Sequence, residues 1–168
     1  MPRGRARPRK DSSKRIFDPP PHPRSPTLPA MLNSIEIQPI GLVRSALRDV
    51  GDAPRQPFAG APPATVEIKP EFTPALHRVT SGTELIVVTW LHQADRGVLQ
   101  THPMDDKRIP LTGVFATRSP DRPNPIGLHR VTVIDVDPPN SVHVDALEAI
   151  DGTPVLDLKI VMIGTPDA

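Results

Sequence analysis

Short runs of β-branched and apolar residues, regularly interrupted by turn residues, constrain the fold of this chain more than any other feature. Seven such runs predict strands. They span residues 35–43, 65–69, 84–91, 113–117, 128–135, 141–147 and 155–162. Pro70 to Val79 fits one short helix with a proline in its first turn, and no long amphipathic helix is predicted. Because closure removes exposed strand edges, we expect an all-β fold, a closed barrel or sandwich with at most one or two short helices.

Length and composition restrict the class of protein further. A chain of 168 residues with 37% hydrophobic content fits one folded domain. The lack of cysteine excludes disulfides, thiolate metal sites and a cysteine nucleophile. No apolar run approaches the roughly 20 residues that span a bilayer, and no secretion signal is recognisable, so we expect a cytoplasmic protein that does not enter the membrane. Strands do not alternate with helices, which argues against a Rossmann sheet.

Residues 1–30 differ from the rest of the chain in charge and proline content. They hold eight Lys and Arg against two Asp, and eight of the 24 prolines. Residues 31–168 carry the other 12 basic residues against 17 acidic ones. We expect a disordered basic arm at 1–30 and a folded domain at 31–168. Two explanations of this arm remain open. Either translation begins at Met31 and the arm is not part of the protein, or the arm attracts phosphates.

The segment from Gly113 to Leu128 is the most unusual stretch. Its loop is stiffened by prolines at 120, 123 and 125 and carries Arg118 and Arg122. Arginines on a rigid loop suit carboxylates, phosphates or the flat faces of bases. Surface ion pairs would explain them equally well from the residues alone.

Other polar clusters give weaker signals. Asp151 to Pro154 fits a plain hairpin turn, and His92 follows an apolar strand, where it either ends that strand or contacts a ligand. None of the six histidines has a partner at zinc-ligand spacing, so no metal is expected. Ser119 lacks the Gly-x-Ser-x-Gly elbow of a hydrolase nucleophile.

In this order, the segments resemble the TsaA-like (TrmO) family over roughly residues 35–160. The specific match is the core Ala-Thr-Arg-Ser-Pro-x-Arg-Pro-Asn-Pro-Ile-Gly within 113–128. Supporting matches lie at 40–45, 54–56, 90–93 and 151–159. The resemblance implies a single-sheeted β-barrel that forms a homodimer and binds S-adenosylmethionine. It also implies methylation of N6 of threonylcarbamoyladenosine next to the tRNA anticodon.

The family motif also implies which residues contact the cofactor. They are Pro54, Arg55, Gln56, His92, Gln93, Arg118, Leu128, Asp145, Ala146, Leu147 and Glu148. Glu148 stands where the family pattern has Asp, and Asp121 stands where His or an aromatic residue is frequent. The chain also stops at Ala168, where many bacterial members continue into a C-terminal domain. The departure at Glu148 bears on a cofactor contact, whereas the other two bear on the methyl acceptor.

Methyl transfer from a sulfonium is an in-line displacement, so the protein must mainly align donor and acceptor and exclude water. A carboxylate or neutral histidine would accept the proton from N6. Asp151, Asp157 and His92 are candidates, and no catalytic base is assigned among them. Two alternatives remain open: methylation of another small molecule, and a non-catalytic S-adenosylmethionine-binding barrel that acts as a sensor or RNA adaptor.

Overall fold

The computed structural model describes residues 35–55 and 59–162. Eight strands occur in this part of the chain. They are β1 (Gly41–Arg44), β2 (Ala64–Ile68), β3 (Glu84–Trp90), β4 (Gln100–Thr101), β5 (Thr112–Gly113), β6 (Ile126–Asp137), β7 (Ser141–Val144) and β8 (Pro154–Ile160). Short 3-10 helices occupy Val50–Asp52, Pro70–Leu76, Pro103–Asp105 and Val114–Ala116. The all-β class and the short helix after Pro70 are confirmed.

Six of the strands form one antiparallel sheet in the order β1-β2-β7-β6-β3-β8. Strand β8 pairs with β3 and also with β1, so the pairings return to the first strand. Bulges interrupt the β3–β8 pairing between Val88 and Thr89 and the β6–β7 pairing between Val133 and Asp135. Strands β4 and β5 form a separate two-stranded hairpin.

Period-two alternation in the strands produces the core. In β2 and β3 every second side chain is buried, because successive residues of a strand point to opposite faces. The core is dominated by valine, whose branched side chain suits the pleated surface. Val43, Val66, Val87, Val142 and Val155 are each completely buried. Gly41 is required beside β2, since a Cβ at this position would overlap with the Glu67 carbonyl oxygen.

The predicted strand at 113–117 is wrong. Only Gly113 pairs, and Val114–Ala116 turns into a 3-10 helix. The carbonyl oxygens of Val114 and Thr117 accept hydrogen bonds from the Arg122 guanidinium, so they are not available to a neighbouring strand. The run at 35–43 also begins to pair later than predicted, with β1 starting at Gly41. The hairpin strand β4 is too short to leave a pattern in the sequence.

Two negative findings concern the described part of the chain. No helix between residues 35 and 162, outside the undescribed 56–58, has the length and apolar content needed to cross a membrane. Within the same ranges, no three His, Asp or Glu side chains are grouped so that they could hold a metal ion. The predicted arm at 1–30 lies outside the described residues.

Candidate functional site

The register of the strands brings several connecting segments to one end of the six-stranded sheet. The end of β1 lies beside the start of β2, and the end of β3 lies beside the starts of β6 and β8. The end of β7 lies beside the start of β2. We call this the loop end and define it by residues 45–55, 59–63, 91–125 and 145–153. The connections at 69–83 and 138–140 leave the opposite end.

Most of the cofactor contacts predicted from the family motif lie in segments of the loop end. Pro54 and Arg55 follow β1, His92 and Gln93 follow β3, Arg118 precedes β6, and Asp145 to Glu148 follow β7. Gln56 lies outside the described residues. Leu128 lies on β6 itself, where its side chain points outward and is 56% exposed. The structure thus gathers segments that are far apart in sequence, while Leu128 lies on the outer face.

Two of these segments are tied together by polar contacts. The backbone N–H of Asp95 donates to Asp121 Oδ1 at 2.8 Å, and Arg96 Nε donates to the Pro123 carbonyl at 2.9 Å. The Arg96 guanidinium also lies 5.4 Å from the centre of the Trp90 ring, within the range of a cation–π contact. The loops that carry His92 and Arg118 are therefore held in a defined relation. Asp121 is used here as an acceptor for a neighbouring backbone.

The two arginines of the proline-stiffened loop have different surroundings. Arg122 turns into the loop, where its Nη2 donates to the Thr117 carbonyl at 2.7 Å and to the Val114 carbonyl. Its Nε is buried and makes no hydrogen bond with the described residues. Arg118 is exposed and makes neither an ion pair nor a hydrogen bond with any residue that the structure describes. Arg122 therefore stabilises the loop, and Arg118 remains available to a ligand.

Arg55 binds a turn that no sequence motif singles out. Its Nη2 lies 2.7 Å from Asp105 Oδ2, and its Nη1 donates to the Met104 carbonyl. Met104 and Asp105 have φ angles of 58° and 56°, in the left-handed region that non-glycine residues seldom occupy. Both side chains of the ion pair are more than half exposed, so it contributes only about 0 to 1 kcal/mol.

The four predicted contacts after β7 are not equivalent. Asp145 Oδ1 accepts the backbone N–H groups of Thr132 and Ala146, each at 2.8 Å. The side chain of Leu147 is completely buried in the core. Glu148 differs from these, because its Oε2 is buried and makes no hydrogen bond with the described residues. Glu148 is therefore the member of this segment with an acceptor still to be satisfied.

The carboxylates considered as proton acceptors are already engaged. Asp151 Oδ1 accepts the backbone N–H of Ser45 at 3.1 Å, and its Oδ2 lies 2.5 Å from Arg48 Nη1. Asp157 lies on β8 and pairs with Lys159 at 2.7 Å. The side chain of His92 is exposed and makes no hydrogen bond with the described residues. The structure leaves His92 as the uncommitted member of the three.

An open groove of about 670 Å³ is lined by residues around the ends of β1, β2 and β7. Its lining includes Arg44, Arg48, His143 and Asp151 and none of the predicted cofactor contacts. Both arginines are paired, Arg44 with Glu67 at 2.7 Å and Arg48 with Asp151. The hydrogen bond and charge of Glu67 raise the pKa of Arg44 above its ordinary value. We do not place the functional site in this groove, because its cations are already neutralised.

The free groups at the loop end fit S-adenosylmethionine chemically. The planar guanidinium of Arg118 matches a carboxylate such as that of a methionyl group. The partnerless Glu148 Oε2 matches a hydroxyl or ammonium donor, and a buried oxygen of this kind carries a cost until a donor reaches it. The fold and these groups define a small all-β domain with a candidate ligand site at one end.

Comparison with known proteins identifies the family. The model of the tRNA-methyltransferase O N-terminal domain matches residues 42–164. The chain belongs to this family, in agreement with the resemblance found in its sequence.

The names of three similar proteins are consistent with this assignment. An S-adenosyl-L-methionine-binding protein of Archaeoglobus fulgidus is 38% identical over 123 residues, which cover 73% of this chain and 86% of that protein. A "Probable S-adenosyl-L-methionine-binding protein" of Methanothermobacter thermautotrophicus is 37% identical over 125 residues, covering 74% and 88% of the two chains. A second Archaeoglobus fulgidus protein with the same "Probable" name is 40% identical over 125 residues, covering 74% of this chain.

Solved structures also match the fold. TrmO from Pseudomonas aeruginosa superposes with a TM-score of 0.63 at 29% identity, covering 82% of this chain and 61% of that one. Another TrmO crystal structure gives a TM-score of 0.63 at 30% identity, covering 80% and 62%. This chain thus spans less than two thirds of these TrmO chains, and only 33% of the second Archaeoglobus fulgidus protein.

Proposed function

We propose that this protein is an S-adenosylmethionine-dependent methyltransferase that methylates N6 of threonylcarbamoyladenosine beside the tRNA anticodon. Its cofactor is S-adenosylmethionine, as predicted from the sequence and in agreement with the names of its relatives. The observation that carries the proposal is the loop end of a chain of the tRNA-methyltransferase O family, where Arg118 is exposed without a partner among the described residues and Glu148 Oε2 is buried without a donor among them. When bound, the cofactor supplies a methyl group on a positively charged sulfur.

The chain's own residues would then bind and align the two reactants. Arg118 offers a fork of donors to a carboxylate, and the proposed acceptor carries one on its threonyl group. An unpaired base of an anticodon loop can reach a site at the end of a sheet, since single-stranded loops are the usual targets of sequence-specific RNA recognition. His92, which has no partner among the described residues, is the group at this end that can take up the N6 proton.

The remaining features of the proposal concern assembly and location. We propose that the ring of strand pairings is one closed barrel and that residues 31–168 form the catalytic domain, with 1–30 as a basic arm in a cytoplasmic protein. A homodimer is supported by an apolar outer face on β3 and β6. On this face Leu128 lies beside Val88, and Ile126, 40% exposed, lies beside Trp90. Apolar patches of this kind commonly mark protein interfaces.

A second candidate is an S-adenosylmethionine-binding protein without a tRNA acceptor, either a methyltransferase for another small molecule or a non-catalytic sensor. The observation in its favour is that the three relatives described above are named for binding alone. The two functions share a cofactor site and differ in the acceptor.

Two measurements test the proposal. Calorimetry on metal-free protein should give micromolar affinity for S-adenosylmethionine and S-adenosylhomocysteine, about −8 kcal/mol. Mass spectrometry of tRNA nucleosides from cells without the gene should show loss of the N6-methylated threonylcarbamoyl nucleoside. Complementation with Arg78→Lys, an exposed residue at the opposite end, should restore that nucleoside, whereas Arg118→Lys should not. Cofactor binding with an unchanged nucleoside profile would favour the second candidate.

A further inference from the structure

Three polar side chains from different elements form a buried series inside the sheet at its loop end. Thr89 on β3 is completely buried, the His129 side chain on β6 is 5% exposed, and the Glu148 side chain is 15% exposed. Thr89 Oγ1 lies 2.9 Å from His129 Nε2, and His129 Nδ1 lies 3.0 Å from Glu148 Oε1. The second contact is within ion-pair distance, although its angle is outside that of a hydrogen bond. Glu148 Oε2 makes no hydrogen bond with the described residues.

A neighbouring glycine leaves space for this series of side chains. A Cβ at Gly127 would overlap with Thr89 Oγ1 and His129 Nε2. Gly127 and His129 are both buried on the inner side of β6, two residues apart, so the missing side chain leaves the room in which the imidazole and the hydroxyl meet.

Stability alone does not account for these residues. The next inward positions of β6 are Val131 and Val133, and apolar side chains there fill the core without polar atoms to satisfy. Burying an imidazole and a carboxylate carries a desolvation cost, and replacing such a pair by apolar residues is frequently neutral or stabilising. The pair of His129 and Glu148 leaves one carboxylate oxygen without a donor, and it is therefore suited to a ligand that supplies one.

We propose that His129 is a positioning residue for Glu148. The Thr89 hydroxyl donates to Nε2 and fixes the ring, so that Nδ1 stays within ion-pair distance of Glu148 Oε1 and the carboxylate presents Oε2 to a hydroxyl or ammonium donor of the cofactor. This inference rests on the proposed function, because the donor belongs to the cofactor. It assigns Thr89 and His129, which the family motif did not single out, to the support of the binding site.

A pair of substitutions separates this role from packing. His129→Asn keeps an amide donor near the position of Nδ1, and His129→Gln keeps one near Nε2. Both remove the ring, and asparagine is one methylene smaller than glutamine, so the packing defect should be at least as large in His129→Asn. We expect S-adenosylhomocysteine affinity, measured by calorimetry, to fall about tenfold or more in His129→Gln and by clearly less in His129→Asn. The melting temperature should therefore fall at least as much in His129→Asn as in His129→Gln, so packing alone predicts the opposite order of affinities. In a Glu148→Met background the difference in affinity between the two variants should disappear, because methionine has no oxygen to pair with the residue at position 129.

Equal affinities for the two variants, or a difference that persists in Glu148→Met, would overturn the inference. If neither His129 variant folds, a comparison of Thr89→Val with Thr89→Ser tests the same role, since serine keeps the hydroxyl and valine does not. Weaker ligand binding in the valine variant alone supports the positioning role, and equal binding refutes it. Wild-type protein that fails to bind S-adenosylhomocysteine would refute the proposed function as well, whereas normal wild-type binding with unaffected variants would refute this inference only.

Discussion

Replacing Arg118 by lysine should separate ligand binding from folding more sharply than any other single change. The side chain is exposed and makes no hydrogen bond or ion pair with the described residues that a lysine would lose. Surface substitutions of this kind change the free energy of unfolding by about 0.5 kcal/mol or less. For a domain of this size the melting temperature should therefore move by only about 1 to 3 °C.

The effect on ligand binding should be much larger. Lysine keeps the positive charge and loses the planar fork that can donate two parallel hydrogen bonds to a carboxylate. A hydrogen bond to a charged group contributes about 1.5 to 3 kcal/mol, so the loss should be roughly 10- to 100-fold. Calorimetry with S-adenosylhomocysteine and a methyl-transfer assay on tRNA measure the two steps separately.

The two assays together show which reactant Arg118 contacts. A loss of cofactor affinity indicates a contact with the cofactor, and a loss of transfer with unchanged affinity indicates a contact with the acceptor. Arg78→Lys, exposed at the opposite end, is the matched control and should alter neither quantity. If Arg118→Lys retains wild-type affinity and transfer, the site is not built around this loop.

Three further predictions follow from the same structure. Arg122→Lys should lower the free energy of unfolding by about 1 to 3 kcal/mol in denaturant titrations, because the Thr117 carbonyl loses its guanidinium donor and the Val114 carbonyl keeps only its donors from Thr117; unchanged stability would contradict the structural role given to Arg122. Leu128→Asp should shift the protein toward monomer in analytical ultracentrifugation, since it places a charge in the apolar outer face, and an unchanged mass would place the interface elsewhere. Deletion of residues 1–30 should preserve cofactor affinity while flattening the salt dependence of tRNA binding; an unchanged salt slope would favour a translation start at Met31.

The sequence predicted those parts of the fold that depend on local alternation. Strand β3 was predicted at 84–91 and occurs at Glu84–Trp90, because its alternating side chains specify one buried face without reference to partners. The strand predicted at 113–117 is wrong because the conformation of this segment depends on a residue outside it. The guanidinium of Arg122, several residues further along, binds its carbonyl groups, and no local pattern indicates such a contact.

Some features of the candidate site could be predicted from the sequence, and others could not. Motif resemblance selected Arg118, which is exposed at the loop end, and Glu148, whose buried Oε2 has no donor among the described residues; their cofactor contacts stay predictions. It also selected Leu147, whose side chain lies in the core, and its role as a cofactor contact stays a prediction. The link from Glu148 to His129 joins two segments 19 positions apart and was missed. One signal was present, because alternation along β6 places His129 on the same inward face as Val131 and Val133.

The most direct test of the proposed function is methyl transfer with purified components. The protein would be incubated with methyl-labelled S-adenosylmethionine and tRNA from cells that lack the gene, and the digested nucleosides would be separated and identified by mass spectrometry. We predict that label appears on threonylcarbamoyladenosine, at N6, and that Arg118→Lys transfers roughly 10- to 100-fold less of it. Cofactor binding without label in any tRNA nucleoside, or label on a different nucleoside, would contradict the proposed acceptor.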